Sequence, residues 1–348
     1  MLARTAEQLF WSGRYLVRAE DTARLLDVTY HRLLEATPAE EASAWAEVLD
    51  IVGLADEFAR THDAVTAASV VEFLVLDRAN PGSIVVCVER ARLNGRGVRE
   101  HLTVEFWEAL NSFHLDMAGR NLAFQLRVQP NDLYRFVRSG VQSVLGTAEG
   151  TWTRDDGWRF FMLGVHLERA AATACLLRVR QPRHRPDEVH EWYATLRVTS
   201  ALSAYRRRYR DLDPAYLLDL LLLSTAMPRS VLFSLRHAEM ILREVVDATE
   251  STAVRLLGRA RAELEFADAD ELLAAGDVEA FLAKVEQRIR DVANAVAAEC
   301  FLYRVELDLH EMHVIPGEIL EPETAPGAPG GTVGAAGGPV GGAVGGAP

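Results

Sequence analysis

The strongest constraint on this 348-residue chain is that it echoes itself. LFWSGRYLVRAEDTARLLDV (9–28) aligns without gaps on FFMLGVHLERAAATACLLRV (160–179). Ten of the twenty positions are identical, among them Gly13/Gly164, Arg18/Arg169 and Thr22/Thr173. A second echo, displaced by 147 where the first is displaced by 151, sets Pro81-Gly82-Ser83-Ile84-Val85-Val86 beside Pro228-Arg229-Ser230-Val231-Leu232-Phe233. Helix-rich composition repeats Ala and Leu by chance, but hardly Gly, Arg, Thr and Pro in register. The spacing predicts two duplicated halves, 1–150 and 151–315, packed about a pseudo-twofold axis.

Local signals make both halves helical, so the expected fold class is an all-α helical bundle. Ala, Leu, Arg and Glu dominate, and these residues lose little freedom in a helix. Prolines sit where a first helical turn tolerates them, so Asn80-Pro81, Asp213-Pro214 and Met227-Pro228 are expected helix starts. The Asp155-Asp156 pair supplies capping carboxylates for a long helix running to Arg180. Ile84-Val85-Val86-Cys87-Val88 has strand composition but continues into Glu89-Arg90-Ala91-Arg92 without a turn signal, which predicts a buried helix. From 322 to 348, glycine, alanine and proline prevail, too little apolar area to offset the entropy of ordering, so a disordered tail is expected there.

Charge and cysteine content exclude several classes. A net charge of −13 repels phosphate backbones and anionic membrane surfaces, so neither nucleic acid nor a membrane is an expected partner. Cys87, Cys175 and Cys300 lie far apart and are odd in number, which fits no disulfide framework or metal-binding pair. Arg4 and Glu7 interrupt any leader-like run, and the greasiest stretch, Tyr216 to Met227, is short and carries Asp219. A cytoplasmic location is expected.

At 100° per residue, Glu7, Trp11, Arg14, Arg18 and Leu25 project from neighbouring angles of the first helix. Such a stripe can read a carboxylate or phosphate through the planar guanidinium fork, or it can serve as internal ion pairing that fixes packing. Gly13 and Gly164 suit a close helix crossing with Arg18 and Arg169 nearby, and convergence of those arginines would require carboxylates such as Glu20 and Glu168 between them. In NPGSIVVCVERARLNGRGVREHLTVEFWEALN (80–111), Arg99 and Glu105 flank the region of Trp107. Glu105 is a candidate acid or base, or one half of an ordinary surface ion pair. His310 and His313 are three apart, but the helical di-iron and zinc motifs are absent, so no metal is expected. Tyr205-Arg206-Arg207-Arg208-Tyr209-Arg210, the densest basic cluster, suits an acidic protein partner or a solvated helix end.

RTAEQLFWSGRYLVRAEDTARLLDV, followed by the 80–111 segment, resembles the alpha-E family of bacterial helical proteins, with Val17 and Ser12 departing from the usual pattern. The resemblance implies a neighbouring, circularly permuted ATP-grasp-like ligase and often a transglutaminase-like protein. The function it implies is that of an accessory or catalytic subunit in forming or modifying an amide or peptide bond, ATP being met only through the ligase and no cofactor being held by the chain. Glu7, Glu20, Glu105 or Glu168 would act as base, while Arg14, Arg18, Arg169 and Arg99 would bind substrate. The alternative is a non-catalytic helical scaffold for that ligase.

Overall fold

Two glycines decide which helices meet at the centre. The computed structural model describes residues 1–33, 37–180 and 189–301, all of them in helices and their connections, with no strand among them. A Cβ built on Gly13 would fall within 3.0 Å of the carbonyl oxygen of Phe161, and one built on Gly164 within 3.0 Å of that of Phe10. Helix α1 (Ala3–Arg32) and helix α9 (Asp156–Arg180) therefore cross backbone on backbone. Both are buried nearly all round, as expected of helices at the middle of a large core.

The other helices pack onto this pair. Helix α1 also packs on α5 (Ile84–Gly97) and α8 (Pro130–Thr151), and α6 (Val104–Ala118) touches both of those. Helix α9 also packs on α13 (Val231–Leu242) and α16 (Val278–Cys300), and α14 (Thr252–Glu265) touches both of those. Helices α2 (Pro38–Val52) and α10 (Val189–Val198) each contact α1 and α9 together. Shorter helices fill the connections: α3 (Ala55–Thr61), α4 (Ala67–Val75), α7 (Leu122–Val128), α11 (Leu202–Arg208), α12 (Pro214–Leu218) and α15 (Ala269–Ala275). A turn of π-helix, Asp219–Leu223, extends α12. The described residues fall in one compact unit. The tail expected from 322 to 348, and His310 and His313, lie outside the described residues.

Local chemistry explains the boundaries. Asp155 accepts the Trp158 amide at 3.0 Å and opens α9, and Asp213 accepts the Ala215 amide at 2.7 Å before Pro214 opens α12. The other two expected starts come later. Asn80 accepts from the Gly82 amide and donates to Phe73 O, so Asn80-Pro81 makes a side-chain-closed turn, and α5 begins at Ile84 behind the capping Ser83. Likewise Met227-Pro228 leads into a turn, and α13 begins at Val231 after Ser230. Ile84–Val88 is helical and buried, since burial of its apolar side chains outweighs the weak strand preference of β-branched residues. By length and composition α9 alone among the described helices is apolar enough to cross a membrane, yet 78% of its apolar window is buried inside the protein.

Gly13→Ala should lower Tm. Its methyl collides with backbone that has no rotamer to retreat into, an overpacking cost of about 1–3 kcal/mol that exceeds the roughly 1 kcal/mol gained in helix propensity. Gly146→Ala on α8, where the added methyl meets nothing within 4 Å among the described residues, should raise Tm in the same thermal melts.

Candidate functional site

The crossing places a carboxylate from one central helix between two guanidiniums from the other. Glu168 lies one turn beyond Gly164 on α9. Its Oε2 accepts from Arg14 Nε at 2.7 Å and its Oε1 from Arg18 Nε at 2.8 Å. Arg14 is fully buried, its guanidinium near the faces of Phe10 and Trp11. Burial opposes ionisation of Glu168, but Arg18 and Arg14 outweigh it and hold the carboxyl at about 2.

A second charged group lies further along α1. Glu20 Oε1 accepts from Arg24 at 2.7 Å and from Gln142 at 3.1 Å, and its Oε2 pairs with Arg229 at 2.7 Å. Arg229 also pairs with Asp21. Burial works against Glu20 as well, yet Arg229 and Arg24 hold it at about 2. Asp21 behaves differently: burial, opposed by Arg229 and reinforced by Glu20, leaves its carboxyl raised above the ordinary 3.8. Arg169 is half-buried beside this group, feeling Arg229, Glu20, Asp21 and Arg24.

Arg18, Asp21, Glu168 and Arg229 all line one cleft of about 130 Å³. Leu25, Leu176 and Ile51 give it apolar walls, and the residues ahead of α5 and α13, Gly82 and Arg229, reach its edge. Glu286, bonded to Arg178 at 2.6 Å, and Arg290 stand on another wall. The cleft combines fixed positive groups, an adjacent carboxyl of raised proton affinity and an apolar floor, which suits holding a small charged molecule and exchanging a proton with it.

The sequence-selected residues separate accordingly. Arg14, Arg18 and Glu168 form one group, and Glu20 with Arg169 belongs to the other. Arg18 and Arg169 do not share a carboxylate: Arg18 takes Glu168, while Arg169 lies by Glu20 and Asp21. Glu105 and Arg99 are exposed on and before α6, Arg99 lying over the Trp107 ring, and neither lines the cleft. Glu7 is half-buried on the first turns of α1, its carboxyl raised by burial against Arg4, and it does not line the cleft either. Sequence reasoning missed Asp21, Arg24 and Arg229. The signal for Arg229 was its place opposite Gly82 in the second echo, where a long cation replaces a residue with no side chain.

Elsewhere the chemistry is muted. Burial pushes the thiols of Cys87 and Cys175 up to about 12 and that of Cys300 to about 11, so none is a thiolate near neutrality. His166 stacks on His237 with ring centroids 5.2 Å apart, and burial drives its pKa well down. No group of three or more His, Cys, Asp or Glu is placed to hold a metal among the described residues. In the basic cluster, Tyr205 hydroxyl donates to Asp211 O and Arg208 pairs with Asp219 at 2.8 Å, while Arg206, Arg207, Arg208 and Arg210 are all exposed.

A family model for a predicted alpha-helical domain with a conserved ER motif matches residues 1–301. The chain is 26% identical over 324 residues to an uncharacterised protein of Mycobacterium bovis, with equal identity to one of Mycobacterium tuberculosis strain H37Rv. Each match covers 85% of this chain and 36% of the relative, so the chain spans about a third of the length of those relatives. No solved structure matches.

Both Glu168 and Glu20 titrate near 2 in the fold against an ordinary 4.5, so the stability they supply is complete above about pH 4.5 and disappears as pH falls toward 2. Each shift corresponds to roughly 3 kcal/mol. Glu168→Gln should therefore lose about 3–5 kcal/mol at neutral pH, with Arg14 and Arg18 stranded. Its stability should also fall less steeply than the wild type's on acidification, read by urea unfolding across that pH range.

Proposed function

Since this chain belongs to the Alpha-E family, we propose that it is the helical subunit of an amide-forming or amide-modifying system. Its partner is an ATP-grasp-like ligase, with a transglutaminase-like protein as a further associate, and ATP enters only through the ligase. The cleft holds the small reactant that the ligase activates or extends. The observation that carries this reading is the convergence of Arg18, Arg229, Glu168 and Asp21 on one partly apolar cleft. The length of the mycobacterial relatives supports a component that works beside something else, since most of each relative lies outside the match.

In and behind the cleft wall the carboxylates divide by proton affinity. Glu168 and Glu20, ion-paired and titrating near 2, serve as anchors that fix the arginines. Asp21, raised by burial, is the group suited to take a proton from an acceptor amine. One observation favours the non-catalytic scaffold instead: Asp21 is itself paired with Arg229.

The same proposal extends to the architecture, as two copies of one eight-helix unit related by a pseudo-twofold axis. The glycine contacts support it, because Gly13 meets Phe161 while Gly164 meets Phe10, the reciprocal pattern that a twofold axis generates. Helix bounds support it too. Ala55–Thr61 and Leu202–Arg208 differ by 147 at both ends, as do Leu122–Val128 and Ala269–Ala275. Gly53 at φ 69° is matched 147 residues later by Ser200 at φ 56°, the one non-glycine residue with positive φ among those described. Thr22 with Thr173, and Leu25 with Leu176, line the cleft from the two halves.

Asp21→Asn in a reconstituted system with the ligase should cut product formation by about 100-fold or more while the complex survives gel filtration, if Asp21 moves the proton. Full product yield leaves the scaffold reading, and failure of the two proteins to associate overturns the partnership. A crystal structure should superpose α1–α8 on α9–α16 by a rotation of about 180°. A rotation far from that value removes the twofold.

A further inference from the structure

We propose that the cleft binds a small organic dianion, an oxyanion head on a short aliphatic body, with Arg18 and Arg229 on the head. The inference rests on the reading of the cleft as the reactant's seat and names the reactant's chemical class. Charge is the first argument. The two groups along α1 contain five guanidiniums, Arg14, Arg18, Arg24, Arg169 and Arg229, against three carboxylates, Glu20, Asp21 and Glu168. A surplus of two positive charges is costly where water is scarce, and an anion of matching charge relieves it. On the remaining wall, Glu286 is already paired with Arg178 and approached by Arg290 at 4.0 Å, so among the described residues lining the cleft no acid is left to offset the surplus.

Hydrogen bonding gives an independent argument. Among the described residues, Arg18 Nη1, on the cleft wall, is buried without an acceptor, and so, behind that wall, are Arg169 Nε and both Nη atoms of Arg14. Buried guanidinium donors without acceptors are rare, and an oxyanion is the acceptor that suits them. Backbone adds to this. Gly82 and Arg229 line the cleft one residue before Ser83 and Ser230, the N-caps of α5 and α13, so the positive ends of two helices, 14 and 12 residues long, lie at its edge. The C-terminal ends of α2 and α10 also reach the cleft, through Val52 and Thr199. With Leu25, Leu176 and Ile51 they form the side suited to the uncharged body of the ligand. A volume of about 130 Å³ limits that body to a few carbons.

Titration calorimetry on the purified full chain at low ionic strength and mildly alkaline pH tests the proposal, with monobutyl phosphate, butyrate and butylamine as probes. Monobutyl phosphate should raise Tm and bind about tenfold or more tighter than butyrate, while butylamine gives no heat. Arg18→Gln, which leaves Glu168 its bond to Arg14, should weaken the phosphate ester by about tenfold or more. Ala172→Asp places a carboxylate on the cleft wall. It should abolish binding and raise the Tm of the unliganded chain, a gain that a merely disruptive substitution does not produce. Preference for butylamine, butyrate as tight as the ester, no binding by any probe, or a folded Arg18→Gln that binds like wild type overturns the dianion site. So does an Ala172→Asp chain that binds normally or melts lower. The ligase is absent throughout, so a failed titration leaves the partnership standing, and a failed complex leaves the titration standing.

Discussion

The backbone contact between α1 and α9 at Gly13 and Gly164 is the constraint on which the rest depends. Two helices whose axes approach that closely leave no room for side chains at the crossing, so the residues just beyond it must face one another. Arg14 follows Gly13, and Glu168 lies one turn past Gly164. Their pairing is a consequence of the crossing, as is the position of Arg18 one turn further along. Ser12 contributes on the adjoining face, where its hydroxyl reaches Ala91 O on α5 at 3.3 Å and permits a third helix to pack close.

A local excess of arginine beside the helix crossing of an acidic chain follows from this arrangement. Fifty acidic and thirty-seven basic residues make the molecule negative as a whole, while in the two charged groups along α1 five arginines meet three acids. Arginine is suited to such a place because its charge is not lost on burial and its planar fork can serve two acceptors. The acids paired with it are pinned in their ionised form. They are poor proton carriers and good struts, whereas Asp21 keeps a proton affinity closer to what acid–base chemistry needs.

Much of this was legible in the sequence, for identifiable reasons. The helical class shows in composition and in caps such as Asp213 and Asp155, since capping is a local interaction. The glycine crossing shows because a repeat marks those positions twice. Pro81 and Pro228 sit in turns ahead of α5 and α13 because Pro fits a turn as well as a first helical turn, and what separates the two is tertiary detail: the Asn80 bonds to Gly82 and Phe73, and the Ser230 amide on Met227 O. The charged partners were less legible. Which acid meets which arginine depends on the angle and register of two helices, so Glu168 and Arg18 could be named while their bond, and the roles of Asp21 and Arg229, could not. Glu105 and Arg99 drew notice through their nearness to Trp107, and their exposure is a tertiary property that spacing does not encode.

The left-handed residues that end α2 and α10 make the two sides of the cleft unlike. The central pair is locked by main-chain contact, and the helices around it are held in unequal ways. Ser200 is tethered, its hydroxyl accepting from Arg24 at 2.5 Å, so the α10 edge is tied to the same guanidinium that steadies Glu20. Gly53, on the α2 edge, has no side chain to tie. The two edges are therefore held at different points: α10 at its very end, through Ser200 to Arg24, and α2 further back, through Glu47 to Arg180 on α9.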